Sequence, residues 1–489
     1  MCIMANHRKK PKIHSVKFNV LMNMLLTTSQ MLFPLITLPY VSRILSTFGT
    51  GAVAYVQSVV LYFSMVALLG IQNYGIKVCA MVRDDIVELS KVVKELLVIL
   101  LVSTSIVFAV YLLSIFLIPT FSQQRTLFLI FSVGFWLSSF GVEWFYQAIE
   151  QYGYITVRNI VFKFIGLILM FLFVHQSSDY IVYGITVLVA GYGMNILNLL
   201  RLRKLVDFSI RQRLEYKEHL KAMFWYSIAS ISSGMYTQTD IVALGFLGNI
   251  NMVGLYQLVA KIKNVLIKAV NSVGNVMLPR ISYYKANGDK QAIINLMAKN
   301  VNFIGVVSGA LIGGTVLCSD SVVQLMGGKD FSGSVVPLML AVPAILFSSL
   351  NIALGNELIA DSREREWAIL NVIGFTCSVV YAITFIYFFG VAGAAISNSL
   401  TELTVLVLRC SRGKGFIRQI LPQTDYHKIG IVSVVSVFIA LLLKSQLAFT
   451  PGFISLIVNG CCFMGIYCIG LVLAHELFVA EMIHSIIKR

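Results

Sequence analysis

The run YQLVAKIKNVLIKAVNSVGNVML, residues 256–278, sets six polar side chains in an apolar background: Gln257, Lys261, Asn264, Lys268, Asn271 and Asn275. Their spacings are 4, 3, 4, 3 and 4, which places all six on one face of an α-helix. At 1.5 Å per residue that face is about 27 Å long, close to the thickness of a bilayer's hydrocarbon layer. A lysine near the bilayer centre costs at least about 2.5 kcal/mol on insertion. Two on one stripe therefore need water or an anion beside them. Amides alone could form a polar seam between packed helices. With lysines on the same face, a hydrated, anion-binding cavity is the stronger expectation. Lys263 lies off this face and either packs elsewhere or extends toward the membrane surface.

Other helical stripes have less cationic chemistry. Tyr226, Ser230, Ser233, Thr237 and Asp240 follow a 4, 3, 4, 3 spacing. Ser139, Glu143, Tyr146 and Glu150 follow 4, 3, 4. Hydroxyl stripes serve helix packing as readily as a cavity. Glu143 and Asp240 carry more information, because a carboxylate in a membrane must be paired, protonated or wet. Either could carry a coupling ion. Asp240 lies near the outer end of its run, where solvation alone would also satisfy it. The segment FPLITLPYVSRIL, residues 33–45, holds Pro34, Pro39 and Arg43. The prolines are expected to bend or loosen their helix. Arg43, near the outer boundary, fits a headgroup anchor or a contact for an anion leaving the protein.

The elements that must position these residues follow from composition. Of 489 residues 58% are hydrophobic and 12% charged, where soluble proteins carry about 25% charge. Apolar runs of about 20 residues indicate helices rather than the alternating strands of a barrel. The expectation is an all-α integral membrane protein of about fourteen spans. They fall at 18–41, 52–74, 95–118, 126–149, 157–175, 179–200, 222–247, 252–278, 300–320, 335–360, 366–389, 391–408, 429–446 and 453–475.

The net charge of +16 suggests nucleic acid only until the basic residues are placed. With the N-terminus inside, 31 of the 38 Lys and Arg fall in inner segments and 4 in outer loops. That is the positive-inside pattern, and it places both termini in the cytoplasm. The basic leader, residues 1–17, precedes an apolar run too long for a signal peptide, with no small-residue cleavage site after it. The eight cysteines and seven histidines are dispersed, so no metal site is expected. No Walker A pattern occurs, which argues against ATP hydrolysis in this chain. Every loop is short, leaving no room for a soluble catalytic domain.

A basic loop over 201–221 follows six spans; six more follow it, then two. The expected divisions are 1–17, 18–221, 222–428 and 429–489. FGTGAVAYVQ, ending at Gln57, echoes LGNINMVGLYQ, ending at Gln257. Two pseudo-symmetric six-helix lobes fit an alternating-access transporter.

FPLITLPYVSRIL, GVEWFYQAIEQYGYITVRNIVFK, YTQTDIVALGFLGNINMVGLYQ and VMLPRISYY, in that order, resemble the Wzx-type flippases. These are the polysaccharide repeat-unit members of the multidrug/oligosaccharidyl-lipid/polysaccharide exporter superfamily. The resemblance runs from about residue 15 to residue 410. STFGTGAVAY, residues 46–55, departs from it, lacking the family's Gly-Pro-acidic turn. The resemblance implies a transporter, not an enzyme, in the bacterial inner membrane. Its substrate would be undecaprenyl-diphosphate carrying an O-antigen, capsule or related repeat unit, moved from the inner to the outer leaflet. It further implies a proton or Na⁺ gradient as the energy source, no other cofactor, and a polysaccharide polymerase and chain-length regulator as partners. Lys261, Lys268 and Arg43 would meet the diphosphate, and Asn264, Asn271, Gln257 and Asn275 would meet sugar hydroxyls. Two other functions remain open: a multidrug antiporter of the same superfamily, and a membrane-embedded polymerase or ligase. The lysines oppose the cationic substrates of the first, and the short outer loops oppose the second.

Overall fold

A computed structural model describes residues 15–209, 214–274, 284, 289–360, 363–446 and 452–481. These residues form helices joined by short turns, with no strand among them. Among the described residues, nine helices are long and apolar enough to cross a membrane, or ten if a pair bent by 47° counts as one span. The chain is a multi-pass membrane protein. It divides into two compact units. Unit 1 holds Met1–Thr37 and Ala52–Gln238, and unit 2 holds Leu38–Gly51 and Thr239–Arg489. The divisions thus fall inside the first and seventh expected spans and at the start of the second.

The chain begins with α1, Val16–Leu68, of which Leu38–Gly51 belong to unit 2 and the rest to unit 1; its N-terminus is capped by the Ser15 side chain accepting from the Phe18 amide. Helix α1 runs through Pro34 and Pro39 and breaks instead at Ser46, where φ is 55° and ψ −167°. That break divides the first two expected spans. The following helices are α2 (Ile71–Met81), α3 (Ile86–Leu117), α4 (Pro119–Ser122), α5 (Arg125–Ser139) and α6 (Glu143–Ala148). Then come α7 (Tyr152–Phe173), α8 (Tyr180–Tyr192), α9 (Met194–Leu205) and α10 (Tyr216–Tyr236). Helix α3 shows how lipid shapes the sequence. Val102, Ile106, Val110, Leu113 and Leu117 form an exposed apolar stripe, while Leu96, Leu100, Tyr111 and Ile115 are buried. Lipid, not water, suits that exposed face. A core around Trp144, Phe145 and Tyr146 joins α2, α3, α6 and α9. Gly75 of α2 permits it, since a Cβ there would come within 2.8 Å of the Trp144 ring.

Unit 2 contains α11 (Thr239–Leu247), α12 (Ile250–Gly274), α13 (Lys290–Met326), α14 (Val335–Ala341) and α15 (Pro343–Ala360). After them come α16 (Glu364–Arg412), α17 (Lys414–Ile420), α18 (Tyr426–Gln446) and α19 (Phe453–Leu473). Helix α16 breaks at Gly390, whose φ of 55° favours glycine. Its halves fold back on each other. Asn371 bonds Arg409, Tyr381 bonds Thr404, and a Cβ on Gly393 would lie 1.9 Å from the Phe385 carbonyl oxygen. Those pairings are antiparallel, matching the two expected spans 366–389 and 391–408. Helices α13, α18 and α19 share a separate core built on Phe463 and Tyr467. The Tyr467 hydroxyl donates to the Val306 carbonyl at 3.0 Å.

The two echoing motifs meet within unit 2. A Cβ on Gly51 would stand 2.1 Å from the Ile250 carbonyl oxygen, and one on Gly254 would stand 1.9 Å from that of Thr47. Thr47 Oγ1 donates to Asn251 Oδ1 at 2.9 Å. Two backbones can approach this closely only where side chains are absent.

Candidate functional site

On α12 the polar stripe keeps its helical register. Gln257 and Lys261 are half-buried, while Asn264 and Lys268 are exposed. Asn271 is buried and is spent on packing, donating to the Ile267 carbonyl at 2.9 Å and to Ser349 Oγ at 3.3 Å. Asn275 lies outside the described residues. The open part of the stripe therefore runs from Gln257 to Lys268, with two ammonium groups about 10 Å apart along the axis. Two cations with the Asn264 amide between them and Gln257 beside them match an extended anionic, hydroxyl-rich ligand.

Arg43 is exposed, and its Nη2 donates to the Leu325 carbonyl at 2.9 Å. Leu325 lies in the last turn of α13, where carbonyls lack intrahelical partners. Part of the guanidinium thus caps a helix, as cations do at helix C-termini.

Two of the expected stripes do not survive as continuous faces. Val142 and Glu150 have φ of 43° and 54°, so the chain breaks on either side of α6. Ser139 therefore ends α5 while Glu143 opens α6. The Glu143 carboxylate is not free: Arg158, itself buried, donates from Nη2 to Glu143 Oε2 at 2.7 Å. Gln147 Nε2 approaches the other oxygen at 3.4 Å. A short helix's acidic first residue is thus locked to the start of α7. Similarly, Tyr226, Ser230, Ser233 and Thr237 lie on or at the end of α10, but Asp240 lies beyond a turn on α11. The α10 hydroxyls serve as a seam against α2, with Asn73 reaching Ser230 and Lys77 reaching Tyr226, each at 3.4 Å.

Asp240 is not solvated at the end of its span; it is buried. Its Oδ2 accepts from the Tyr256 hydroxyl at 3.0 Å and from Asn398 Nδ2 at 2.9 Å. The other end of the Asn398 amide accepts a hydrogen bond from Lys263 Nζ. Lys263 is also buried and lies within electrostatic reach of Asp240 and Glu402. Buried Glu402 accepts from Asn351 Nδ2 at 2.8 Å, and Arg409 donates to the Asn351 carbonyl and to Asn371 Oδ1. Four buried charges thus alternate in sign: Asp240, Lys263, Glu402 and Arg409. Buried charges persist where each has an opposite partner and hydrogen bonds. The helical signal for this file was Asn398, Glu402 and Arg409, spaced 4 and 7 on one face. What no spacing could show was that Lys263, off its own helix's stripe, points into it.

Among curated proteins, a putative O-antigen transporter of Shigella dysenteriae is 23% identical over 401 residues, covering 80% of this chain and 98% of the relative. A putative O-antigen transporter of Escherichia coli K12 is 22% identical over 407 residues, covering 81% and 95%. Among solved structures, a lipid II flippase, MurJ, in an inward closed conformation superposes with a TM-score of 0.63 at 15% identity, covering 92% of this chain and 99% of MurJ. A MOP superfamily transporter from Pyrococcus furiosus gives 0.59 at 13% identity, covering 83% and 95%. The two structural likenesses establish a shared fold. The family model for polysaccharide biosynthesis proteins matches residues 16–285. That is more than half of the 489 residues, and the chain belongs to the polysaccharide biosynthesis protein family.

Proposed function

We propose that this protein is a lipid-linked oligosaccharide flippase. It carries undecaprenyl-diphosphate-linked repeat units from the inner to the outer leaflet of a bacterial inner membrane by alternating access. The observation that carries the reading is the open stripe of Lys261, Asn264 and Lys268 on a helix of an apolar bundle. The lysines would replace water around the diphosphate, and the amides, with Gln257, would meet sugar hydroxyls. Lys268 and Arg43 are exposed and can take part as the ligand moves. The two curated relatives, each a putative O-antigen transporter, support the same substrate class.

The topology that goes with this function has fourteen spans, cytoplasmic termini, and lobes over 18–221 and 222–428 followed by 429–489. Helix α10 with α11, and helix α12, would be spans outside the nine: α11 has only 9 residues, and α12 carries three lysines. Coupling to an ion gradient is assigned to the cluster around Asp240 rather than to Glu143, which Arg158 already neutralises. A polymerase and a chain-length regulator would act on the delivered units.

Deleting the gene tests the reading. Single lipid-linked repeat units are expected to accumulate at the inner face of the membrane, inaccessible to a label added outside. Accumulation of single units on the outer face would instead indicate a polymerase. A multidrug antiporter would leave polymer assembly unchanged.

A further inference from the structure

The oxygens around Asp240 have the chemistry of a hard-cation site. They are its own carboxylate, the Tyr256 hydroxyl, the Asn398 amide oxygen and the nearby Ser397 hydroxyl. Carboxylate, carbonyl and hydroxyl oxygens are the donors such ions take. Yet a side chain of this protein fills the cationic position. Lys263 Nζ donates to Asn398 Oδ1, and the same amide's nitrogen donates to Asp240 Oδ2.

We propose that Lys263 is a tethered counter-cation in the place where an exchangeable metal ion would sit, so that the proton is the ion this cluster exchanges. The inference rests on the flippase reading only where it speaks of transport. Three elements meet at the site: α11 brings Asp240, α12 brings Tyr256 and Lys263, and the second half of α16 brings Ser397, Asn398 and Glu402. From α15, Ser348 and Asn351 face Glu402, and Arg409 lies on its far side. The four charges sum to zero. A metal ion would need several of these oxygens at once, and the ammonium already holds one of them, whereas a proton needs only a lone pair on one carboxylate oxygen. A proton can bind a carboxylate oxygen of Asp240 from water on one side and leave to water on the other. While bound, it leaves the buried file one positive charge in excess. Proton occupancy therefore favours arrangements in which water or an anion reaches the cluster, which links protonation to conformation.

The test uses purified full-length protein in detergent, with thermal unfolding followed in sodium chloride and in choline chloride at equal ionic strength. The wild type is expected to unfold at the same temperature in both salts. Lys263→Ala exposes the oxygen set without its ammonium and is expected to gain stabilisation by Na⁺ over choline. Lys263→Gln keeps an amide donor near Asn398 and serves if the alanine variant does not fold; it should gain the same Na⁺ response. Na⁺ stabilisation of the wild type, or no Na⁺ response in either folded variant, overturns the proposal. Neither arm contains a lipid-linked sugar, so the result is independent of the flippase reading. In proteoliposomes, wild-type transport should respond to an imposed pH gradient and not to a Na⁺ gradient. The reverse response would overturn the proton as the exchanged ion.

Discussion

Lys261 and Lys263 are two residues apart on α12 and end in opposite surroundings. Lys261 sits on the open stripe, half-buried and able to meet a ligand. Lys263 is turned into the protein toward Asn398 and two carboxylates. A helix rotates about 200° over two residues, so neighbouring lysines can serve a substrate and a structural charge separately. The Glu143–Arg158 pair is a second case of a charge used internally. Removing its guanidinium by Arg158→Ala leaves the half-buried Glu143 carboxylate without its partner and is expected to cost about 1–3 kcal/mol of stability. Glu143→Gln, which keeps hydrogen-bonding capacity toward Arg158, should fold and keep the ion dependence of transport. Thermal unfolding of both variants checks the first statement, and transport under ion gradients checks the second. Loss of ion dependence in Glu143→Gln would return the coupling role to Glu143.

At the level of helices, the close approach of Gly51 and Gly254 is the most demanding packing in the molecule's two echoing motifs. Gly254→Leu would drive a side chain into the Thr47 carbonyl, which lies 1.9 Å from where its Cβ must go. Overpacking of this kind costs about 1–3 kcal/mol, and here backbone rather than a side chain must yield. A lowered unfolding temperature is expected for Gly254→Leu, with Gly191→Ala, in open space, as the control. Equal stability of the two variants would show that the helices separate at little cost. The sequence showed this region as a weak repeat, because glycines and an amide recur, but not that the repeats touch. Lys261 and Lys268 were legible because a 3.6-residue period suffices to place them on one face. Ser46 and Gly390 were not, because a single left-handed residue breaks a helix without altering the apolar pattern around it. The Asp240 file was hidden for another reason. Its members come from four separate parts of the chain, and only tertiary packing brings Lys263 to Asn398, 135 residues away.

At the scale of the whole molecule, the apolar exterior and the interior charges divide the work. Stripes such as Val102 to Leu117 face lipid, so the bundle's stability does not depend on hiding them. The charges assigned to transport in the proposed function lie on the open face of α12 and in the Asp240–Arg409 file, whereas the Glu143–Arg158 pair is an internal ion pair. Composition alone made the membrane class legible, since 12% charge cannot coat a soluble protein of this size. Which face of a helix meets lipid and which meets cargo depends on the neighbours it packs against, and that is visible only in the folded chain. The proposed transport cycle makes the two α12 lysines its central residues. Charge-assisted hydrogen bonds to a diphosphate are worth about 1.5–3 kcal/mol each. Losing both should therefore slow flipping at limiting substrate by about a hundredfold or more. The direct measurement reconstitutes the wild type and the Lys261→Ala/Lys268→Ala double variant in liposomes carrying an undecaprenyl-diphosphate oligosaccharide. A membrane-impermeant label then reads the rate at which sugar appears in the opposite leaflet. The wild type should accelerate flipping and the double variant, equally folded and inserted, should lose that acceleration. Equal rates for the two proteins would contradict the assignment of the α12 stripe as the path of the anionic lipid.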